Sequence, residues 1–148
     1  RQSVAIPLLM RWPGRVAEGE KDERIVANID IAPTILDAIG IEPSSEFPMD
    51  GRSLLSDGAR DRILLEQYEN NVHLLPDWAS VFGGSFQYTE YYKTRGGELK
   101  YVEYYDLESD PFELENLLGD ETQGNDPDVV SLSDDLNSIR SCRGADCP

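Results

Sequence analysis

Two cysteines and one histidine are the residues of this chain best suited to bond-making chemistry. The cysteines stand near the C-terminal end, in Cys142-Arg143-Gly144-Ala145-Asp146-Cys147. A short spacer that includes glycine can close a small loop with acceptable disulfide geometry. Zinc would need more ligands, and His73 cannot complete a tetrahedral site with two thiolates unless carboxylates help. A redox dithiol more often has a two-residue spacer. The spacing therefore predicts a structural disulfide, Cys142–Cys147, with free thiols as the alternative. Such a bond implies an oxidising compartment, so the expected location is extracellular, periplasmic or lysosomal. A loop this short would pin the terminal tail rather than hold the fold together.

The other candidates carry less chemistry. His73 lies in Asn70-Asn71-Val72-His73-Leu74-Leu75-Pro76, read as a loop between strands. It is either a surface or packing histidine or a pocket-lining one. Asp106-Leu107-Glu108-Ser109-Asp110 alternates acids as a calcium loop begins, but that loop needs Gly at its sixth position and Glu at its twelfth. Pro111 and Leu117 stand there, which favours a strand end followed by a helix start capped by Asp110. Tyr88, Tyr91, Tyr92, Tyr101, Tyr104 and Tyr105 form a stripe that could stack a sugar or aryl ring, with cross-strand packing as the ordinary use. There is no Gly-x-Ser-x-Gly elbow and no phosphate-binding Gly-x-x-x-x-Gly-Lys loop. Gly83-Gly84 and Gly96-Gly97 read as turns. On their own these residues compose no complete active site.

The composition excludes whole classes of partner. Against 29 Asp+Glu stand 13 Lys+Arg, a net charge of −16 over 148 residues. Nucleic-acid affinity comes from neutralising phosphates, so no nucleic-acid partner is expected. The same charge opposes docking on anionic membranes. No apolar run approaches the ~20 residues of a bilayer span, and no basic-plus-apolar leader opens the chain. The chain begins without Met and enters an apolar segment within three residues, which reads as a piece of a longer protein.

The elements that must position these residues fall into two parts. Residues 1–56 offer a strand and a helix; residues 57–148 offer a small antiparallel sheet with a terminal helix. Ala5 to Trp12 is nearly continuously apolar and predicts a strand buried on both faces, closed by the Pro13-Gly14 turn. Asp30 to Ile39 predicts a helix with Asp30 as cap, Pro33 in the first turn, Gly40 as stop, and Ile31, Ile35, Leu36 and Ile39 on one buried face. Arg62–Glu69, Trp78–Phe82, Phe86–Tyr92 and Lys100–Leu107 predict an antiparallel meander. Phe112, Leu114 and Leu117 suggest a short helical turn, and Asp126-Pro127 opens a last helix with Val129, Val130, Leu132, Leu136 and Ile139. One strand and one helix cannot bury a sheet alone, which also favours a piece of a larger α/β layer.

Several segments, in order, resemble the C-terminal part of a formylglycine-dependent sulfatase of the arylsulfatase type. They are Ile6-Pro7-Leu8-Leu9-Met10-Arg11-Trp12-Pro13-Gly14, Asn28 to Leu36, and Asp50-Gly51-Arg52-Ser53-Leu54-Leu55. The most specific is Tyr105-Asp106-Leu107-Glu108-Ser109-Asp110-Pro111-Phe112-Glu113-Leu114-Glu115-Asn116-Leu117. The tail from Ser141 to Cys147 is similar to the ending of N-acetylglucosamine-6-sulfatase-like members. The resemblance implies an alkaline-phosphatase-like α/β fold for the parent protein, with this chain as its last part. It implies hydrolysis of sulfate esters, of aryl groups or sugars, by a formylglycine hydrate with a calcium ion held by Asp and Asn oxygens. The physics of such a site is electrostatic, a cation and fixed donors meeting charge on the transferring group.

None of that machinery maps onto this sequence. Cys142 is followed by Arg143-Gly144-Ala145-Asp146, without the Pro and Arg of a Cys-x-Pro-x-Arg-like motif. The family's metal ligands and catalytic basic residues precede the segment resembling Ile6 to Gly14. No catalytic and no metal residue is therefore carried over, calcium is expected only in the parent, and the sulfate-ester substrate would be met through a preceding part. The chain alone is expected to be inactive. Loop residues Glu69 to Asp77, His73 included, are expected to border the substrate side. Two alternatives stand: part of a phosphatase or phosphodiesterase of the same fold, and a non-enzymatic binding module using the tyrosine-rich sheet.

Overall fold

The computed structural model describes residues 4–68, 76–93 and 97–148. Four strands form one sheet: β1 (Ile63–Gln67), β2 (Asp77–Phe82), β3 (Phe86–Tyr92) and β4 (Leu99–Asp106). Their order is β1-β2-β3-β4 and every pair is antiparallel, the meander that the period-two pattern predicts. The β2–β3 turn is closed by Gly83 N–H donating to Phe86 O at 3.0 Å, with Gly84 at φ +77°, a conformation that glycine adopts without strain. Between Tyr91 and Tyr92 the β3–β4 register shifts, a local irregularity at the far end of the pair.

The period of two splits the side chains between two faces. Ala79, Val81, Tyr88 and Tyr92 point one way, and the helix α2 (Val129–Ser141) lies over them through Leu136 and Ile139. This is the core. Leu64, Phe86, Val102, Tyr104, Val129 and Leu132 extend it at lower burial. Asp128 begins α2 by accepting from Ser131 N–H at 3.2 Å, and Arg140 sits in its last turn, where a cation suits the carbonyl end. The helix starts two residues later than Asp126-Pro127 suggests because Asp128, not Asp126, supplies the cap.

The motif from Tyr105 to Leu117 is a set of side-chain caps on an irregular chain. Asp106 accepts from Glu108 N–H at 3.0 Å and from the Ser109 hydroxyl at 2.8 Å. Asp110 accepts from the N–H groups of Leu114 and Glu115 at 2.6 and 2.8 Å, across Glu113 at φ +58°. Asn116 Oδ1 accepts from Tyr104 N–H of β4 at 2.9 Å and from Leu118 N–H of the 3₁₀ turn Leu117–Gly119 at 3.2 Å. The alternating acids thus serve local backbone donors. The helical turn expected through Phe112 and Leu114 does not form; Asp110 holds that backbone in a turn, and Phe112 and Leu114 stay exposed.

Two expectations for the first part fail. Residues 4–12 form no strand, and Ile6 and Leu9 are 74% and 93% exposed, because no other strand of the described residues pairs with them. The helix α1 (Ile31–Ala38) forms, and Gly40 ends it at φ +72°, but its apolar stripe is not covered. Ile31, Ile35 and Ile39 are exposed, whereas Pro33 and Thr34 are the buried positions. Asp30 does not cap α1 with its side chain; its carboxylate is committed elsewhere.

Candidate functional site

That commitment makes Asp30 the centre of a buried polar cluster. The 3₁₀ turn Asn28–Asp30 brings Asp30 Oδ2 back to Ala27 N–H at 2.7 Å. Its Oδ1 accepts from Arg52 N–H at 2.8 Å and from Arg60 Nη2 at 2.5 Å. Arg60 and Asp30 are 3% and 1% exposed at their side chains, so the ion pair is shielded from water. Thr34 continues the cluster: its hydroxyl donates to Asp30 O at 2.6 Å and accepts from Leu54 N–H at 2.9 Å. Gly51 completes the close approach, since a Cβ there would lie 2.1 Å from Ile29 O. Asp50-Gly51-Arg52 is therefore folded onto the start of α1.

The other side of the same loop meets the C-terminal tail. Asp50 Oδ1 accepts from Gly144 N–H at 2.7 Å, and Arg52 Nη2 donates to Cys147 O at 2.8 Å. Cys142 and Cys147 are joined by a disulfide, as the spacing predicts, and the turn Gly144–Asp146 lies inside the closed loop. Beside it opens a polar cavity of about 310 Å³ lined by Arg52, Arg62, Asp135, Ser138 and both cysteines. Arg62 Nη1 reaches Asp135 at 3.0 Å across this cavity.

The tyrosine stripe divides between the two faces of the sheet. On the helix side Glu90 is buried and accepts from Tyr88 at 2.9 Å and from the Tyr92 hydroxyl. Arg140 donates from Nη1 to the Tyr92 hydroxyl at 3.2 Å and from Nε to Glu66 at 2.9 Å, its guanidinium 5.2 Å from the Tyr92 ring centre. Burial, and then the Glu90 carboxylate, hold the Tyr88 and Tyr92 phenols well above the usual phenol range. On the opposite face Trp78, Tyr91 and Tyr101 share one cross-strand row. Tyr91 donates to Glu103 at 2.9 Å, and burial together with Glu103 raises its phenol strongly and pushes Tyr105 up to about 12. These phenols are protonated hydrogen-bond donors at neutral pH.

His73 lies outside the described residues. Among the described residues no three His, Cys, Asp or Glu side chains gather where a metal ion could sit. Both cysteines are spent in the disulfide. Sequence reasoning missed Arg60, the buried partner of Asp30, and Glu90, the buried acceptor of the two phenols. A basic residue in an acidic chain, Arg60, was a usable signal; Glu90 in an otherwise aromatic strand, flanked by Tyr88 and Tyr92, was another.

A family model for the C-terminal part of N-sulphoglucosamine sulphohydrolase matches residues 1–141. Over 52 residues, 35% of this chain, the sequence is 44% identical to human (Homo sapiens) N-acetylglucosamine-6-sulfatase. It is 35% identical over a stretch of the same length to steryl-sulfatase of Rattus norvegicus. Each stretch is 9% of the relative. A chain described as a sulfatase from Bacteroides fragilis superposes with a TM-score of 0.61 at 17% identity, over 86% of this chain and 27% of that one. A chain from a glycosaminoglycan-metabolism locus of Bacteroides thetaiotaomicron superposes at 0.56 with 22% identity, over 72% of this chain and 25% of that one. The present chain thus spans a small share of each relative. At these identities the structural likeness is one of fold: the antiparallel sheet and terminal helix of the C-terminal part of an alkaline-phosphatase-like sulfatase.

Proposed function

Because the chain belongs to the N-sulphoglucosamine sulphohydrolase C-terminal family, we propose that it works as the last part of an enzyme that hydrolyses sulfate esters, of aryl groups or sugars, to alcohol and sulfate. The family match across residues 1–141 is the observation that carries this reading.

The chemistry belongs to residues outside this chain. A formylglycine nucleophile needs an unpaired cysteine or serine in its own motif, and Cys142 and Cys147 are paired with each other. A calcium ion needs several oxygens around one point, and the described residues supply no such cluster. Neither group fits the described residues, so no catalytic step is assigned to them.

On this reading the chain completes the parent's main layer and borders its substrate side. Residues 1–56 carry exposed apolar side chains in two places, the 4–12 segment and the Ile31, Ile35 and Ile39 face of α1. Apolar surface left in water costs about 25 cal/mol per Å², so both places favour a covering layer. The reading makes them additions to the main α/β domain of the parent, with residues 57–148 as a separate antiparallel part. The segment between β1 and β2, which includes His73, is the substrate-side candidate on its sequence position alone. An extracellular, periplasmic or lysosomal location agrees with the disulfide. No helix of the described residues is long and apolar enough to cross a membrane.

The test is mass spectrometry of the intact parent protein across any Cys-x-Pro-x-Arg stretch, with turnover of an aryl sulfate and an aryl phosphate measured in parallel. An aldehyde or its hydrate at that cysteine, with sulfate released, is the expected result. Release of phosphate alone, from a protein with no such residue, would replace the reading with a phosphatase of the same fold.

A further inference from the structure

We propose that the Cys142–Cys147 disulfide is a redox-sensitive latch on the Asp50-Gly51-Arg52 loop: reducing it frees the tail and loosens that loop from Asp30. The tail holds the loop at three points. Gly144 N–H donates to Asp50 Oδ1 at 2.7 Å, Cys147 O accepts from Arg52 Nη2 at 2.8 Å, and Gly144 packs on Pro48. Gly144 is buried at φ +60°, and a Cβ there would lie 2.8 Å from Pro48 Cβ, so the absence of a side chain permits this close approach. The same loop reaches the other way, through Arg52 N–H to Asp30 at 2.8 Å and the contact of Gly51 with Ile29. A single loop therefore joins the disulfide to the Asp30–Arg60 pair.

Both ends of the latch are short-range and polar, so they depend on the tail being ordered. The disulfide ties residue 147 back to the end of α2, and the loop it closes holds the donor of Gly144 and the acceptor of Cys147 in place together. Without the bond, residues 143–148 regain chain freedom that two hydrogen bonds and one contact must oppose. Access exists: Cys142 is half-buried and lines the open cavity of about 310 Å³, while Cys147 is buried. A small dithiol reagent attacks Sγ of Cys142, the S–S bond breaks, and Cys147 leaves as a thiolate that takes up a proton. The second thiol of the reagent then displaces Cys142 from the mixed disulfide. The protein gains two thiols and the reagent becomes a cyclic disulfide.

Hydrogen exchange of the full chain, before and after dithiothreitol, tests the latch, with alkylation and mass spectrometry confirming that both thiols are free. The expected result is roughly tenfold or faster exchange at the amides of Gly144 and Arg52, with the β2–β3 amides unchanged. Faster exchange at Gly144 alone would reduce the disulfide to a tail clip and overturn the proposal. Faster exchange across β2 and β3 would also overturn it, because the bond would then hold the whole fold. Asp50→Ala gives an independent reading that leaves the cysteines intact. If the tail contacts favour the closed bond, removing one lets the disulfide open at a roughly tenfold lower dithiol concentration, by reciprocity of coupling. An unchanged opening concentration in Asp50→Ala would sink the coupling.

Discussion

Arg60 donates to Asp30 across 2.5 Å with both side chains withdrawn from water, and this pair ties the segment before α1 to the approach of β1. A buried carboxylate without its cation is far more costly than the intact pair is favourable. Arg60→Ala is therefore expected to lower unfolding stability by about 3–5 kcal/mol, read as a drop in the urea midpoint. Asp30→Ala should cost a similar amount, since it strands Arg60 and leaves the N–H groups of Ala27 and Arg52 without their acceptor. Paired replacement by apolar residues of similar size should recover much of the loss. Equal, small effects from both single variants would mean that the pair is hydrated in solution.

Gly51 explains why the Asp50-Gly51-Arg52 turn has no larger residue in the middle. The reason is contact: a Cβ would meet Ile29 O at 2.1 Å and Ile29 C at 2.6 Å, both backbone atoms that cannot swing aside. Gly51→Ala is expected to destabilise by about 1–3 kcal/mol and to speed exchange at the Arg52 amide. Unchanged thermal unfolding in this variant would show that the loop stands further from α1.

The sheet was legible in the sequence because its signal is local. Alternation in Ile63 to Gln67 and Phe86 to Tyr92, and the glycines at 83 and 84, need no knowledge of the rest of the chain. The 4–12 segment was not legible for the opposite reason. Its apolar run reports a preference for burial, and whether it becomes a strand depends on a pairing edge that no described residue offers. The same holds for α1, whose periodicity gave the helix correctly, while its isoleucines stay exposed because no described residue covers them. The Asp30–Arg60 pairing was not legible because side chains 30 residues apart have no periodic signature, whereas Glu90 stands two residues from each of its phenol partners and could have been found from the strand's alternation.

The phenols supply a prediction against alkaline pH. Burial and the neighbouring carboxylates raise Tyr88, Tyr91 and Tyr92 in the folded protein, while the unfolded chain ionises its tyrosines near the ordinary ~10. The folded state then binds more protons than the unfolded state above that pH, so stability is intact below about 10 and falls as the pH climbs beyond it. Phenolate absorbance of the native protein at pH ~11 should account for fewer than the seven tyrosines of the chain, the remainder appearing together with unfolding. Tyr92→Phe should leave Glu90 with one phenol donor instead of two and cost about 1–3 kcal/mol. Full ionisation without unfolding would show that these hydroxyls are open to solvent.

Asn116 tests whether the segment from Tyr105 to Leu117 is a structural device. One side-chain oxygen serves Tyr104 N–H on β4 and Leu118 N–H on the following turn, and its amide donates to the Tyr101 hydroxyl at 2.9 Å. It therefore fastens the segment after the sheet to the outer strand, and through Leu118 to the core beneath α2. Aspartate keeps the two acceptor bonds but cannot donate to the Tyr101 hydroxyl or to Val102 O, whereas alanine loses all four bonds. Asn116→Ala is expected to cost about 1–3 kcal/mol and Asn116→Asp less, with both measured by denaturant unfolding. If the segment served chiefly to bind a cation, added calcium would raise the unfolding midpoint of the unmodified chain and Asn116→Asp would strengthen that rise. The capping geometry instead requires that calcium leave the midpoint unchanged and that the order of stability be Asn, then Asp, then Ala.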